Sequence, residues 1–194
     1  MHTIKLLNEI EKETVLKIKE IFLNKKLFLE AYQVLKNIKK TKKKIIVFGN
    51  GGSAALSSHF SVDMTKNAQI RCINFNDSDL ITCFSNDYGF ENFVTQAINS
   101  YYDKGDCVIL ISVSGESKNI INAAKFCISN KIKLITLSGK KYNNHLMKIN
   151  KKGINFHINS YSYNIVENLQ SQILLILVDL LIGKVKYDTT IGKL

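Results

Sequence analysis

The spacing of hydrophobic residues changes along the chain, and each change predicts a different element. Over residues 4–40, apolar positions recur every three or four residues with charged residues between them, which predicts an amphipathic helical arm. The polar run Asn24-Lys25-Lys26 predicts a break that divides the arm into two helices. An arm of this kind before the first strand is more often a packing or subunit surface than a catalytic element.

Short apolar runs follow the arm and alternate with helical segments. The first is Ile45–Phe48, and Cys107–Ile111 is a continuous apolar run typical of a strand buried on both faces. Further strands are predicted at 70–75, 134–137 and 154–158, and helices at about 53–66, 77–85, 90–102, 118–130 and 164–182. Because parallel neighbours need helical crossovers, this alternation predicts an α/β fold with a doubly wound, five-stranded parallel sheet.

The strand Ile45–Phe48 runs into a glycine-rich turn, Gly49-Asn50-Gly51-Gly52-Ser53, which opens a helix. Free backbone N–H groups and the helix dipole attract an anion at such a position, so phosphate is the first ligand to consider. The turn lacks the Lys-Ser/Thr of a P-loop, and Ala54 stands where the dinucleotide fingerprint requires glycine. A glycine turn between strand and helix is also often only a turn.

A second loop, Ser112-Val113-Ser114-Gly115-Glu116-Ser117, follows the strand Cys107–Ile111 and precedes a helix. Its hydroxyls and the N–H groups of the helix start can converge on one phosphate. The alternative is an ordinary serine N-cap with unrelated neighbours. Since ligands of parallel sheets bind at the carboxyl ends of the strands, both loops are predicted to lie at the ligand-binding edge.

Three ionisable residues are candidates for chemistry. His59 and Asp63 stand four apart on one helix, so they face the same way and could share a metal ion or form a hydrogen-bonded pair. Alone, such a pair is more often structural. Glu167 lies near the start of the last helix, where a carboxylate is also favoured by the helix dipole. His145 and His157 show no partner pattern and are interpreted as structural or surface residues.

Charge and cysteine usage narrow the class of protein. The formal net charge is +11, but the excess is nearly all lysine in the N-terminal third and in surface turns. This favours solvated lysines, whose field would attract anionic small substrates, over a nucleic-acid surface. Four cysteines, at 72, 83, 107 and 127, contain no C-x-x-C pair, and three lie in apolar runs. They are predicted to be small buried hydrophobes in a reducing compartment.

We find no stretch that we expect to span a bilayer and no signal-peptide pattern. The sequence therefore predicts a cytoplasmic protein without a membrane partner.

Several motifs together resemble the bacterial phosphoheptose isomerases, which are sugar-isomerase (SIS) domain proteins that interconvert sedoheptulose 7-phosphate and a heptose 7-phosphate. The motifs stand in the same order with similar gaps: Gly49-Asn50-Gly51-Gly52-Ser53-Ala54-Ala55, His59-Phe60, Asn86-Asp87-Tyr88-Gly89-Phe90, Ile111-Ser112-Val113-Ser114-Gly115-Glu116-Ser117 and Leu137-Ser138-Gly139-Lys140. The likeness runs from about Lys43 to Ile182, and the helical arm over 1–40 is also as in that family. We therefore expect residues 1–194 to form a single SIS domain, with the sheet and its crossover helices over 43–182.

The resemblance implies a flavodoxin-like five-stranded parallel sheet, a homotetramer with active sites at subunit interfaces, and an ene-diol mechanism. The residues that it implies for sugar binding are Asn50, Gly51, Gly52, Ser53, Asn86 and Asp87. Those that it implies for the phosphate are Ser112, Val113, Ser114 and Ser117. Family members often carry zinc, and the matching positions are His59, Asp63, Glu167 and a fourth on the last helix.

Three of these positions depart from the family. Asp63 replaces a glutamate and Glu167 replaces a glutamine. Leu175 replaces a histidine and can neither bind metal nor carry a proton. Two carboxylates near His59 would raise one pKa by mutual repulsion unless a cation lies between them. The resemblance therefore leaves two alternatives: Asp63 and Glu167 as a rebuilt acid/base pair, or a metal site of two carboxylates and one histidine.

Two functional hypotheses follow. The first is a phosphosugar aldose–ketose isomerase that feeds heptose and surface polysaccharide biosynthesis. The second is a non-catalytic SIS module that binds phosphosugars or a protein partner, motivated by Leu175. A DNA-binding role that rests on net charge alone is a distant third.

Overall fold

The computed structural model describes residues 2–186, and in that range eight helices and five strands alternate along the chain. The helices are α1 (His2–Leu23), α2 (Lys25–Lys40), α3 (Gly52–Lys66), α4 (Ser78–Tyr88), α5 (Phe93–Tyr101), α6 (Lys118–Ser129), α7 (His145–Ile149) and α8 (Tyr163–Ile182). The strands are β1 (Ile45–Phe48), β2 (Cys72–Ile73), β3 (Cys107–Ser112), β4 (Lys133–Gly139) and β5 (Ile154–Ile158). The break predicted at Asn24 is confirmed.

All five strands are parallel and lie in the order β2-β1-β3-β4-β5, which confirms the predicted doubly wound sheet. From β1 the chain first moves outward to β2 and then returns across β1 to β3. The order of the strands therefore reverses between β1 and β3. In open α/β sheets, the crevice above such a reversal is where ligands bind.

Each face of the sheet carries its own hydrophobic core. Along β1, Ile45 and Val47 belong to the core under α1, α2, α3 and α8, whereas Ile46 and Phe48 belong to the core under α5 and α6. The strand β3 alternates in the same way and is buried along its whole length. This alternation explains the unbroken apolar runs, because a central parallel strand buries both of its faces.

Two predicted boundaries are wrong. The second strand was expected over 70–75, but β2 contains two residues and pairs only with the start of β1. Polar side chains bend the chain away from the sheet there: Asn74 donates to Ser61 of α3, and Asn76 donates to the carbonyl of Ala54 and to Ser58. These bonds hold the segment that follows β2 against α3.

The end of the helix predicted over 77–85 is the second wrong boundary. Asn86 and Asp87 lie in the last turn of α4, which continues to Tyr88. The first residue that leaves the helix is Gly89, with φ of +82°, and glycine adopts this conformation without steric cost.

Among the described residues, α8 is the one helix long and apolar enough to cross a membrane, with a mean hydropathy of 1.7. This corrects the expectation that no stretch has that character. Eight of its residues are buried, and Val166 packs on Gly139 of β4. Within this fold α8 is therefore a core helix, packed against α2, α3 and the sheet.

The predicted single domain over 1–194 includes Met1 and residues 187–194, which lie outside the described residues. Within 2–186, the helical arm is joined to the sheet. Glu13 of α1 accepts a hydrogen bond from Ser160, which follows β5, and Ile21 enters the core. Most other apolar side chains of α1 are exposed, as Ile4 and Leu7 illustrate at 64% and 59%.

Candidate functional site

Two loops flank the reversal between β1 and β3: the glycine-rich loop 49–52 after β1 and the serine-rich loop 112–117 after β3. Their strands are hydrogen-bonded neighbours, with Phe48 in register with Leu110. The helices that the loops open pack on opposite faces of the sheet, since Phe60 of α3 belongs to one core and Ile120 of α6 to the other. The loops therefore form the two walls of one crevice.

The serine-rich loop is folded on itself by its own hydroxyls. The buried Oγ of Ser112 lies 3.1 Å from Oγ of Ser117 and accepts a hydrogen bond from the backbone N–H of Gly115 at 3.1 Å. Ser114 Oγ accepts from the N–H of Glu116 at 3.1 Å. The tight turn needs Gly115, whose φ is +68°.

Ser117 occupies the N-cap position of α6, but its side chain makes no capping hydrogen bond. Its hydroxyl is directed to Ser112 instead. The first N–H groups of a helix have no partner within the helix, and Ser117 caps none of them here. The N–H of Ile120 donates to Asn119 Oδ1, which leaves those of Lys118 and Asn119 for a ligand. Together with the serine hydroxyls they can donate to a phosphate, and the positive end of the helix dipole favours the anion.

The start of α7 packs against the serine-rich loop. Gly115 accepts a hydrogen bond from the N–H of Leu146, and a Cβ on residue 115 would lie 2.2 Å from Cγ of the buried Asn144. The carboxylate of Glu116 accepts from the backbone N–H of His145 at 3.1 Å and lies 2.5 Å from its Nδ1. The hydrogen bond to His145 lowers the pKa of Glu116. His145, for which the sequence showed no partner, is thus paired beside the proposed phosphate seat.

The glycine-rich loop is joined to the other wall through an amide pair. Asn50 Nδ2 donates to Oδ1 of Asn119 at 2.9 Å, and Asn119 Nδ2 donates to Oδ1 of Asn50 at 2.8 Å. Asn119 lies on the first turn of α6 and is 2% exposed. The pair connects the loop predicted to contact the sugar with the helix predicted to bind the phosphate.

Glu167 lies against the start of α3. A Cβ built on Gly52 would lie 2.5 Å from Oε1 of Glu167, so the carboxylate occupies the space of a side chain at residue 52. The start of a helix favours a negative group, and here the protein supplies its own. This arrangement supports placing the phosphate at the serine-rich loop and leaving Glu167 at the sugar end of the crevice.

His59 and Asp63 lie further along α3. His59 Nε2 is 3.3 Å from Oδ2 of Asp63, and Asp63 Oδ1 accepts from Asn67. The pair lines an open pocket of about 500 Å³ together with Leu175 and Asp179 of α8. His59 follows Gly52 by seven residues, which is about 10 Å along the helix axis.

The predicted trio of His59, Asp63 and Glu167 is therefore spread along α3 within one chain. His59 and Asp63 are close enough to share a zinc ion, but a structural zinc site takes four ligands and a catalytic one three. Within residues 2–186, no three His, Cys, Asp or Glu side chains are grouped to hold a metal ion. Besides the pair, α8 lines this pocket with the aliphatic Leu175 and with Asp179, which is not grouped closely enough with the pair to hold a metal ion. The residues described in one chain do not fit zinc.

Asn86 and Asp87, predicted to bind the sugar, are exposed on α4. Asn86 Nδ2 donates to Oδ1 of Asp87 at 3.0 Å, and α4 contributes no buried side chain. Neither residue hydrogen-bonds to the glycine-rich or serine-rich loop within the described residues. Their assignment to the sugar stays a prediction that rests on the resemblance.

Three residues at this site were not predicted from the sequence: Asn119, Asn144 and His145. Asn119 bonds to Asn50, sixty-nine residues away, His145 bonds to Glu116, and Asn144 packs against Gly115. The sequence contained one partial indication of Asn119, because this residue lies two positions after the serine-rich loop.

The fold and the two loops define an α/β protein with a crevice at the strand reversal, lined by a glycine-rich and a serine-rich loop. The sequence profile of the SIS domain matches residues 14–139. The chain belongs to the SIS domain family.

Individual relatives agree with this assignment. A phosphoheptose isomerase from Campylobacter jejuni is 38% identical over 137 residues, which cover 66% of this chain and 65% of the relative. A phosphoheptose isomerase from Fusobacterium nucleatum is 35% identical over 113 residues, covering 56% and 58%. The chain thus matches 58% to 65% of the length of these relatives.

A solved structure of a phosphoheptose isomerase from Francisella tularensis superimposes with a TM-score of 0.86. It covers 95% of this chain and 100% of its own at 21% identity, so the likeness shows the fold.

Proposed function

We propose that the protein is an aldose–ketose isomerase of phosphorylated sugars that acts on sedoheptulose 7-phosphate and feeds heptose and surface polysaccharide biosynthesis. The observation that carries this proposal is the crevice itself, where a helix start with serine hydroxyls faces the glycine-rich loop, against which Glu167 of α8 packs. The first wall suits the phosphate of the substrate, and the second suits its carbonyl end. The names of the curated relatives support the same reaction.

The reaction needs a base that removes the proton from the carbon beside the carbonyl. The electron pair left behind forms the carbon–carbon double bond of an ene-diol, and the carbonyl oxygen gains a proton. The proton then returns to the neighbouring carbon while the other hydroxyl loses its own, so that atoms and charge balance. A carboxylate can take and return the carbon-bound proton if it lies within hydrogen-bond reach of it.

Glu167 is the carboxylate that lies on the glycine-rich wall, and we assign it the transfer of the carbon-bound proton. Asp63 is assigned to proton transfer between the oxygens, with His59 Nε2 3.3 Å from its carboxylate. Asp63 follows Gly52 by eleven residues, about 16 Å along α3, whereas the two reacting oxygens lie on adjacent carbons. Asp63 and Glu167 of one chain therefore cannot serve the same reacting group, and the assignment of Asp63 requires a site formed between subunits in which Glu167 comes from a second copy of the chain. Asn50 and the backbone of Gly51 and Gly52 orient the sugar.

The test is the conversion of sedoheptulose 7-phosphate by the purified wild type and by Glu167→Gln and Asp63→Asn. Each substitution should lower kcat by at least about a hundredfold, a typical contribution of general acid–base catalysis. Circular dichroism provides the control, because both replacements conserve size and should leave the fold intact. Undiminished activity in both variants would remove the assigned roles while leaving the isomerase itself in place.

A second candidate is a non-catalytic SIS module that binds phosphosugars, and Leu175 favours it. This aliphatic residue lines the pocket beside His59 and Asp63, where it can carry no proton. Calorimetric binding of sedoheptulose 7-phosphate without turnover between pH 6 and pH 9 would favour this candidate over the isomerase.

We also propose that the protein works in the cytoplasm as a homotetramer. Three of its four cysteines are buried and free, which suits a reducing compartment. The exposed apolar side chains of α1 give a surface that a second copy of the chain can cover. Light scattering should give about four times the mass of the chain, and a monomer would contradict this part of the proposal.

A further inference from the structure

The amide pair of Asn50 and Asn119 has a fixed orientation. Asn119 Oδ1 accepts from the backbone N–H of Ile120 at 3.0 Å and from Asn50 Nδ2 at 2.9 Å, so both lone pairs of this oxygen are used. An amide nitrogen has no lone pair to offer to a backbone N–H. The backbone of α6 therefore decides which end of the Asn119 amide is oxygen, and the reciprocal bond then decides the same for Asn50.

This orientation leaves Asn50 with a defined capacity for a ligand. An amide side chain has two N–H donors and two acceptor lone pairs. Asn119 takes one of each, and no other hydrogen bond involves the Asn50 side chain within the described residues. One donor and one acceptor remain on the two outer edges of the Asn50 amide, where they can bond to two different sugar hydroxyls.

The pair also links the two walls. Asn119 belongs to the helix that Ser117 opens, and Asn50 belongs to the loop that precedes Gly52. The backbone N–H groups that would hold the phosphate and the amide that would hold the sugar are therefore fixed at one separation. A second amide on the same helix, Asn122, has different partners, the carbonyl of Glu91 and Oδ1 of Asn92.

We infer that Asn119 is a positioning residue for the sugar: it acts through Asn50, orienting that amide and setting its separation from the phosphate seat. The inference rests on the phosphosugar ligand of the proposed function, but not on turnover. Without Asn119, the Asn50 amide rotates freely and its remaining donor and acceptor no longer have fixed directions. The phosphate seat keeps its serine hydroxyls and the N–H groups of α6.

The experiment compares two ligands, sedoheptulose 7-phosphate by calorimetry and inorganic phosphate by ³¹P NMR titration. Asn119→Ala should weaken the binding of the phosphosugar by about tenfold, as expected for the loss of an oriented hydrogen-bonding group. Its affinity for inorganic phosphate should stay within about twofold of wild type. Asn122→Ala is the matched control on the same helix and should change neither affinity.

A double-substituted variant shows whether Asn119 acts through Asn50. If it does, Asn50→Ala combined with Asn119→Ala binds the phosphosugar no more weakly than Asn50→Ala alone. Should Asn119→Ala fail to fold, Asn119→Ser keeps an acceptor near the N–H of Ile120 and lacks the amide pair. Thermal unfolding of every variant separates loss of fold from loss of orientation.

Three results overturn the inference: equal weakening of both ligands in Asn119→Ala, no weakening of either, or additive losses in the double variant. Absence of phosphosugar binding by the wild type overturns it as well. Absence of turnover by a wild type that binds the phosphosugar rejects the proposed isomerase activity alone, because the comparison of affinities does not depend on catalysis.

Discussion

The carboxylate of Glu167 lies where a side chain on residue 52 would begin, 2.5 Å from the position of a Cβ on Gly52. Only glycine leaves that space, so the two residues are coupled across α3 and α8. The close contact with Glu167 explains why residue 52 is glycine. Residue 51 has open space around it but a φ of +54°, so there the backbone conformation favours glycine.

Gly52→Ala should displace Glu167 without unfolding the protein. The obstructing atoms are the far end of a flexible side chain, and residue 52 has no positive φ, so alanine fits the helix. We expect kcat to fall by at least about tenfold, while the melting temperature changes by no more than about 4 °C. If the effect passes through Glu167, Gly52→Ala costs nothing further in the Glu167→Gln background. Equal losses in both backgrounds would contradict the coupling.

Lys44 and Asp106 form a buried ion pair at the amino end of β1 and β3, away from the crevice. Lys44 Nζ lies 2.6 Å from Asp106 Oδ2 and from Asp103 Oδ2, and Asp106 is 1% exposed. Asp106 also accepts from the backbone N–H groups of Lys44 and Asp103. Asp106→Ala should therefore lower the free energy of unfolding by about 3 kcal/mol, measured with urea. The exposed control Asp77→Ala should change it by less than about 0.5 kcal/mol.

The same pair predicts a dependence on alkaline pH. Burial acts to lower the pKa of Lys44, but hydrogen bonds to Asp103 and Asp106 outweigh it and raise the pKa above its ordinary 10.5. A raised pKa in the folded state means that the contribution is complete below pH 10.5 and is lost as the pH rises through the raised value. The difference between wild type and Asp106→Ala should stay constant from pH 8 to about pH 10 and shrink as the pH rises above 10.5. A difference that stays constant above pH 10.5 would contradict the role of the Lys44 charge.

Leu175 predicts how the protein handles zinc. His59 and Asp63 alone offer two ligands, so the wild type should bind zinc weakly. Leu175→His places a third ligand on the wall of the same pocket and should tighten zinc binding by at least about tenfold, measured in competition with a chromogenic chelator. Leu180→His, on the exposed part of α8, is the control. Equal zinc affinity in the two variants would show that residue 175 does not face the pair.

The cysteines should differ sharply in reactivity. Burial raises the pKa of Cys107 and of Cys127 to about 12 and that of Cys72 well above its usual range, whereas Cys83 is exposed on α4. Since the thiolate is the reactive form, a thiol reagent should modify one cysteine of the native protein quickly and all four after unfolding. Cys83→Ser should abolish the fast reaction. Fast reaction of a second thiol would show that the core opens readily.

The sheet could be predicted because hydrophobic patterns record burial directly. The run Cys107–Ile111 indicated a strand buried on both faces, and the structure confirms it. The short edge strand β2 could not be predicted in the same way. Its length depends on Asn74 and Asn76 and on their partners in α3, which are distant in the chain.

The candidate site, like the sheet, could be predicted from the sequence only in part. The glycine-rich and serine-rich loops were evident from residue types next to strands. The amide pair of Asn50 and Asn119 depends on the side-by-side placement of β1 and β3, which periodicity does not reveal. The separation of Glu167 from Asp63 follows from the direction in which α8 packs along α3, and two carboxylates in a sequence do not indicate it.

The central claim is best tested by incubating the wild type with sedoheptulose 7-phosphate in D₂O and following the sugar by ¹H and ³¹P NMR. An isomerase that works through an ene-diol should produce an aldose 7-phosphate and incorporate deuterium at the carbon beside the carbonyl, and Glu167→Gln should show neither at a comparable rate. Saturable binding of the phosphosugar with no new aldose and no deuterium incorporation would contradict the claim.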